Sequence, residues 1–202
     1  MLQLYSHPGS TYTHRVHIFL KYKSIPYEVI HVALDKLENR KKPFLEINPY
    51  AKVPVLLDGD FLLSESSAIM RYIEEKYPDV MPTIPRDLQS RARMNQFASQ
   101  CETEFCIPGS VVYFAKKFIK EEKWDLNKMK ESDKKVSRHL AILDGLIGEN
   151  DYLIENTFGF VDILYAPFIF NMKYLDVEVP ANVERWVKNV LSLHEVKLVL
   201  GE

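Results

Sequence analysis

The chain has 202 residues, 47% of them apolar, with 26 Lys and Arg against 28 Asp and Glu for a net charge of −2. That length holds one large domain or two small ones, and a compact chain of this size buries about 70% of the surface its unfolded form exposes. The nearly balanced charge and a pI near 6.3 exclude a general nucleic-acid binder, which needs a basic face.

Met1-Leu2-Gln3-Leu4-Tyr5-Ser6 has neither a charged n-region nor a long h-region, so no secretory leader is expected and a cytoplasmic protein is the default. Leu2-Gln3-Leu4-Tyr5 reads as a strand. His14 to Lys23 reads as a helix, with Val16, Phe19 and Leu20 on one side and Thr13 as its N-cap. Tyr27 to Val32 alternates as a second strand, and Asp35 to Glu46 is polar and helix-prone. The short Arg40-Lys41-Lys42 run is a solvated face. Val53-Pro54-Val55-Leu56-Leu57, then Asp58-Gly59-Asp60, then Phe61-Leu62-Leu63 spell a hairpin. Ser64 to Ser67 supply cap residues, and the apolar positions 69, 72, 73 and 77 give Ala68 to Tyr77 a helical period. The order predicted is β-α-β-α-β-β-α.

Pro78, Pro82 and Pro85 cannot sit inside a helix, so residues 78–88 read as a linker between a first domain, 1–77, and an all-helical domain, 89–202. Met94, Phe97, Cys101 and Phe105 form one stripe, and Pro108-Gly109 then breaks or kinks that helix. Val136, Leu140, Leu143 and Ile147 form a second stripe. Phe160 to Tyr174 is apolar nearly all round and reads as the buried central helix. Its run from Ile163 to Phe170 is too short to span a bilayer, so no membrane partner is expected. Pro180 opens a helix through Asn189, and Ser192 caps the last one. Two cysteines make no disulfide framework, and Cys101 and Cys106 have no nearby His to complete a zinc site. They read as reduced helix residues. His14 and His17 lie three apart with no third ligand, so no metal site is expected.

Three segments could carry chemistry. Val53-Pro54 is either an ordinary trans proline or a cis proline, which would turn the Val53 backbone outward to pair with an extended peptide ligand. Ser64-Glu65-Ser66-Ser67 is either a plain cap or an anion site. In the second case the helix N–H groups and a hydroxyl take a carboxylate while Glu65 holds an ammonium, as an amino-acid terminus such as a γ-glutamyl group requires. Pro8-Gly9-Ser10-Thr11-Tyr12-Thr13 follows the first strand, where α/β folds seat ligands, and offers hydroxyls at the positive end of a helix dipole.

Together these segments resemble the cytosolic glutathione S-transferases over the whole chain. The likeness is strongest from Ile47 to Ile69, INPYAKVPVLLDGDFLLSESSAI, which has the family's Val-Pro step, hairpin and Glu-Ser pair in order. Asp87 to Phe97 looks theta-like, the Pro-Gly-Ser-Thr loop looks like the delta class, and Tyr5-Ser6 through Arg15-Val16 is similar to zeta. The resemblance implies an α/β thioredoxin-like N-terminal domain, an all-α C-terminal domain and a homodimer. It implies glutathione as co-substrate and a small electrophile as second substrate. Val53-Pro54 should be cis, with Val53 pairing its backbone to the cysteinyl part. Glu65 and Ser66 should hold the γ-glutamyl end, and Lys52 and Asn39 the glycyl carboxylate. Matching Pro-Gly-Ser selects Ser10 as the catalytic hydroxyl, whereas counting back from Arg15 selects Thr11. The electrophile pocket falls near Tyr113 and Phe114.

Two departures stand out. Cys106 occupies the place of an arginine associated with particular theta substrates. Gly159-Phe160-Val161-Asp162 lacks the hydroxyl of the late capping box, although Asp162 can still cap backwards. A zeta-like isomerase of the maleylacetoacetate type is a second reading, weakened because Ser10-Thr11-Tyr12 stands where zeta members carry Ser-Ser-Cys. A non-catalytic interaction module is a third, weakened by retention of Lys52, Glu65 and Ser66. Cysteine-type reductase chemistry is excluded, since both cysteines follow residue 100.

Overall fold

The computed structural model describes residues 1–201. They divide into two compact units, residues 1–83 with 198–201, and residues 84–197.

The first unit runs β1 (Leu2–Ser6), α1 (Thr11–Tyr22), β2 (Tyr27–His31), α2 (Lys42–Ile47), β3 (Val55–Asp58), β4 (Phe61–Ser64) and α3 (Ser66–Lys76). This is the predicted order. The strands form one mixed sheet in the order β2-β1-β3-β4. Alternation along β1 sends Leu2, Leu4 and Ser6 to one face. Tyr5, on the other, packs edge-on against Phe44 of α2, where Val32, Val53 and Val55 complete a small core. Gly59 turns the β3–β4 hairpin at φ +61°, a backbone conformation that costs glycine little. The Asp58 carboxylate at that turn accepts the Tyr72 hydroxyl at 2.6 Å and pairs with Lys76, both on α3.

Two elements differ from expectation. Helix α1 begins at Thr11, because the extended Ser10 is its N-cap and accepts the Thr13 N–H at 3.3 Å. Thr13 therefore lies inside the helix. The stretch from Asp35 to Glu46 divides into two 3-10 turns and the short α2, because Leu37 takes a left-handed φ of +53° between the turns.

Two polar links cross the first unit. Fully buried Lys23 donates to Glu74 Oε2 at 2.9 Å and to the Met81 carbonyl at 3.1 Å. Glu74 also accepts the Thr83 N–H at 2.8 Å and the Thr83 hydroxyl at 2.9 Å, which ties residues 81–83 to α1 and α3. The second link is a chain in which His17 Nε2 lies 2.8 Å from Ser6 Oγ and Nδ1 lies 2.6 Å from the Tyr27 hydroxyl. Burial, reinforced by His14 and Lys21, pushes the His17 pKa down to about 4.

The second unit holds α4 (Leu88–Gln100), α5 (Ile107–Phe118), α6 (Leu126–Ile147), α7 (Phe160–Phe170) and α8 (Ala181–Ser192), and α9 (His194–Leu200) follows. One π-helical turn, Cys101–Cys106, joins α4 to α5, so the break sits upstream of Pro108. Pro108 is the second residue of α5, directly after this turn. Met94, Phe97, Cys101 and Phe105 are all buried, as are Val136, Leu140, Leu143 and Ile147. Helix α7 is buried over nearly its whole length, and Asp162 in its first turn caps backwards onto the Gly159 N–H at 3.0 Å. The same carboxylate accepts the Trp186 indole at 2.7 Å and the Leu153 N–H at 3.3 Å, and burial raises its pKa to about 6. His139 stacks on Tyr165 with Nε2 at 2.8 Å from its hydroxyl, and burial lowers its pKa to about 4. The Ser192 hydroxyl donates to the Asn189 carbonyl at 2.8 Å, so it closes α8 and does not cap α9.

Removing one partner from a buried ion pair strands the other, so Glu74→Ala is expected to lower stability by about 3–5 kcal/mol in urea titrations. The double variant Lys23→Met/Glu74→Leu should recover most of that loss. Both His17 and His139 resist protonation when folded, whereas unfolded histidine protonates near pH 6.5. The unfolded chain therefore binds more protons between pH 6.5 and 4, and stability falls as pH drops through that window. Each contributes up to about 3 kcal/mol. His139→Asn should flatten the fall relative to wild type when urea midpoints are compared at pH 7 and pH 4.5.

Candidate functional site at one end of the sheet

Strand register decides which loops meet. Ser6 pairs with His31 in the parallel β1–β2 ladder, Tyr5 with Val55 in the antiparallel β1–β3 ladder, and Val55 with Ser64 in β3–β4. The C-terminal ends of β1, β2 and β4 and the start of β3 thus share one end of the sheet. The loop 7–10, the Val53-Pro54 step and Glu65-Ser66 all leave from it.

At the first loop, Ser10 is partly exposed and its oxygen accepts the Thr13 N–H, which leaves the hydroxyl proton to point elsewhere. Thr11 is buried as the first residue of α1. His7 Nδ1 accepts the Gly9 N–H at 3.0 Å and closes the loop. Burial and the neighbouring His31 lower the His7 pKa, against a smaller opposing effect of Asp35.

The Val53-Pro54 bond is cis, and Val53 lies just outside the β3 ladder. Asparagines hold the loop before it. Buried Asn48 donates to the Lys52 carbonyl at 2.8 Å and accepts the Tyr50 N–H at 3.1 Å. Asn39 donates to the carbonyl of Ala51 at 2.7 Å, and its own buried Oδ1 has no hydrogen-bond partner. Ala51 itself takes φ +55°. Lys52 projects from this braced loop as an exposed cation.

Glu65 is exposed, adopts φ +70°, and its carbonyl starts α3 by accepting the Ile69 N–H at 2.9 Å. Ser66 is buried, with Oγ 3.4 Å from Nη1 of the fully buried Arg15. A guanidinium behind a helix N-terminus adds to the positive potential there, which suits an anion. Arg15 also lies over the Tyr12 ring at 4.8 Å.

The sequence reading named neither Arg15 nor Asn48 as site residues. Arg15 carries one signal, a charge on the buried face of α1 between Thr11 and Ile18. Asn48 carries none, because its partners are backbone atoms.

In the second unit, Tyr113 is buried among the rings of Phe114, Phe118 and Tyr174, and its hydroxyl accepts Lys117 Nζ at 2.6 Å. Phe114 is half exposed and lines a cleft of about 350 Å³ with Val111, Ile119, Trp124 and Met129. The indole of Trp124 donates to the carbonyls of Ala115 at 3.0 Å and Ile119 at 2.9 Å, which fixes that wall. Among the described residues no group of three or more His, Cys, Asp or Glu could hold a metal, and no helix is long and apolar enough to cross a membrane.

Comparison with known proteins identifies the family. Residues 1–75 match the family described as Glutathione S-transferase, N-terminal domain, and residues 108–194 match Glutathione S-transferase, C-terminal domain. Glutathione S-transferase F7 of Arabidopsis thaliana is 32% identical over 98% of this chain and 99% of its own. A Stringent starvation protein A homolog of Coxiella burnetii is 30% identical over 100% of this chain and 88% of its own. The crystal structure of glutathione transferase F2 from Populus trichocarpa superposes with a TM-score of 0.89 at 26% identity, covering 99% of this chain and 97% of that one. The chain belongs to the cytosolic glutathione S-transferase superfamily and is an enzyme of the glutathione transferase kind.

Proposed function

We propose that the chain binds glutathione at this end of the sheet, ionises its thiol with the Ser10 hydroxyl, and transfers it to a small electrophile. The observation that carries the reading is the common register, which sets a hydroxyl, an extended backbone segment and a helix N-terminus around one place. The γ-glutamyl carboxylate lies at the start of α3 on Ser66, with Arg15 behind it, and Glu65 takes the ammonium. The Val53 backbone pairs with the cysteinyl unit as an added strand. Lys52 meets the glycyl carboxylate. Asn39 gives one amide N–H to the Ala51 carbonyl, which braces that loop and leaves its second N–H to join Lys52 on the glycyl carboxylate.

Ser10 is favoured over Thr11 because its oxygen already accepts an N–H, so its proton is free for an anion, whereas Thr11 is buried. The required effect is modest. Lowering a thiol pKa by about two units takes roughly 2.7 kcal/mol. One hydrogen bond to a charged acceptor contributes about 1.5–3 kcal/mol, and the start of α1 adds up to about 1 kcal/mol. The thiolate then attacks the electrophilic carbon while the leaving group departs with its electron pair.

The enzyme acts as a homodimer in the cytoplasm. On α6, Ile142 and Leu146 are 48% and 52% exposed, beside Arg138 and with Glu104 lining the same cleft. Apolar residues flanked by opposite charges form a self-complementary patch, as a two-fold interface requires.

Ser10→Ala is expected to raise the pKa of bound glutathione by one to two units and to lower kcat/KM about 10–100-fold. Thiolate absorbance and conjugation assays read these quantities, and Thr11→Val should leave both near wild type. The reverse pattern moves the hydroxyl to Thr11, and full activity in both variants sinks the hydroxyl mechanism. Arg15→Gln should raise KM for glutathione about tenfold with a smaller change in kcat, as lost ground-state binding requires. Wild type that neither binds immobilised glutathione nor conjugates it would overturn the proposal.

A further inference from the structure

The Cys101 and Cys106 thiols are chemistry-bearing groups that the transferase reaction leaves unused. Both are fully buried, and their Sγ atoms lie 3.4 Å apart. In an α-helix residues five apart point to different sides. The π turn of Cys101–Cys106 changes this, because its bonds run from residue i to i+5, as the Ile107 N–H to the Glu102 carbonyl shows. Side chains at 101 and 106 therefore stack one above the other.

We propose that Cys101 and Cys106 are a redox modification site, closing to a reversible disulfide within the helix when oxidised by a small hydroperoxide. One thiolate attacks the peroxide oxygen, the O–O bond breaks, and a sulfenic acid and an alcohol or water result. The second thiol attacks the sulfenic sulfur, the S–S bond forms, and water leaves with the thiol proton. In sum, two thiols and one hydroperoxide give one disulfide, one alcohol or water, and one water.

Burial selects this product over other thiol chemistry. A bulky adduct has no room at residues with no exposed surface, whereas a disulfide removes two hydrogens and draws the sulfurs in to about 2.05 Å. A sulfenic acid formed at either position already touches the other thiol, which captures it before further oxidation. Burial also makes the first step slow, gated by local opening of the turn. Phe105, on the same turn, packs with its ring tilted against His139 and Tyr165, so the bridge would lock the register that holds this cluster.

The test treats folded wild type with hydrogen peroxide, quenches it, denatures it with excess iodoacetamide and weighs it. The expected product carries no alkyl group and is lighter by two hydrogens than untreated, unalkylated protein. Dithiothreitol should return it to a doubly alkylated form. Cys106→Ser should show no two-hydrogen loss under the same treatment. Two fully alkylated cysteines after oxidation, oxygen-bearing cysteine products as the main species, or a two-hydrogen loss in Cys106→Ser would each overturn the assignment.

Discussion

The pairing of Tyr5 with Val55 is the constraint on which the site depends. It aligns β1 with β3, and through Val55 and Ser64 it aligns β4 as well. A slip of one residue would turn either Tyr5 or Val55 from the α2 side to the opposite face, sending that side chain into the wrong core. It would also carry the Val53-Pro54 step away from the loop that holds Ser10. Burial of Leu2, Leu4 and Leu56 on one face, and of Val55 with Phe44 on the other, penalises any such slip.

Buried polar groups fix what apolar packing leaves free. Lys23 and Glu74 gather the end of α1, the middle of α3 and residues 81–83 at one point. Asp162 does the same for the second unit, collecting the start of α7, the loop before it and Trp186 of α8. Its three donors offset the desolvation that raises its pKa, and at neutral pH it remains mostly ionised. In each case one side chain serves backbone segments distant in sequence, which non-directional apolar contacts could not orient.

The element order of the first unit was legible because its signals are local: alternation in the strands, Asp58-Gly59 at the turn, and a helical period from Ile69. The stripe of Met94, Phe97, Cys101 and Phe105 was legible for the same reason. The start of α1 was not, because Ser10 and Thr13 are equally good caps in sequence and only the turn closed by His7 and Gly9 separates them. The π turn was illegible because a period of five residues matches neither helix nor strand. Arg15 reaches Ser66, 51 residues away, a contact that leaves no trace in the local sequence. What sequence conveys poorly here is the long-range polar contact, since it has no period.

The two tryptophans, Trp124 and Trp186, both lie in the second unit and in unlike settings. Trp186 has no exposed surface and bonds to a carboxylate, while Trp124 lies at the wall of an open cleft with its N–H on two carbonyls. Indole fluorescence of this protein is thus a two-component signal from the helical unit alone. The thioredoxin-like unit, with tyrosine but no tryptophan, can unfold without any direct trace in that emission.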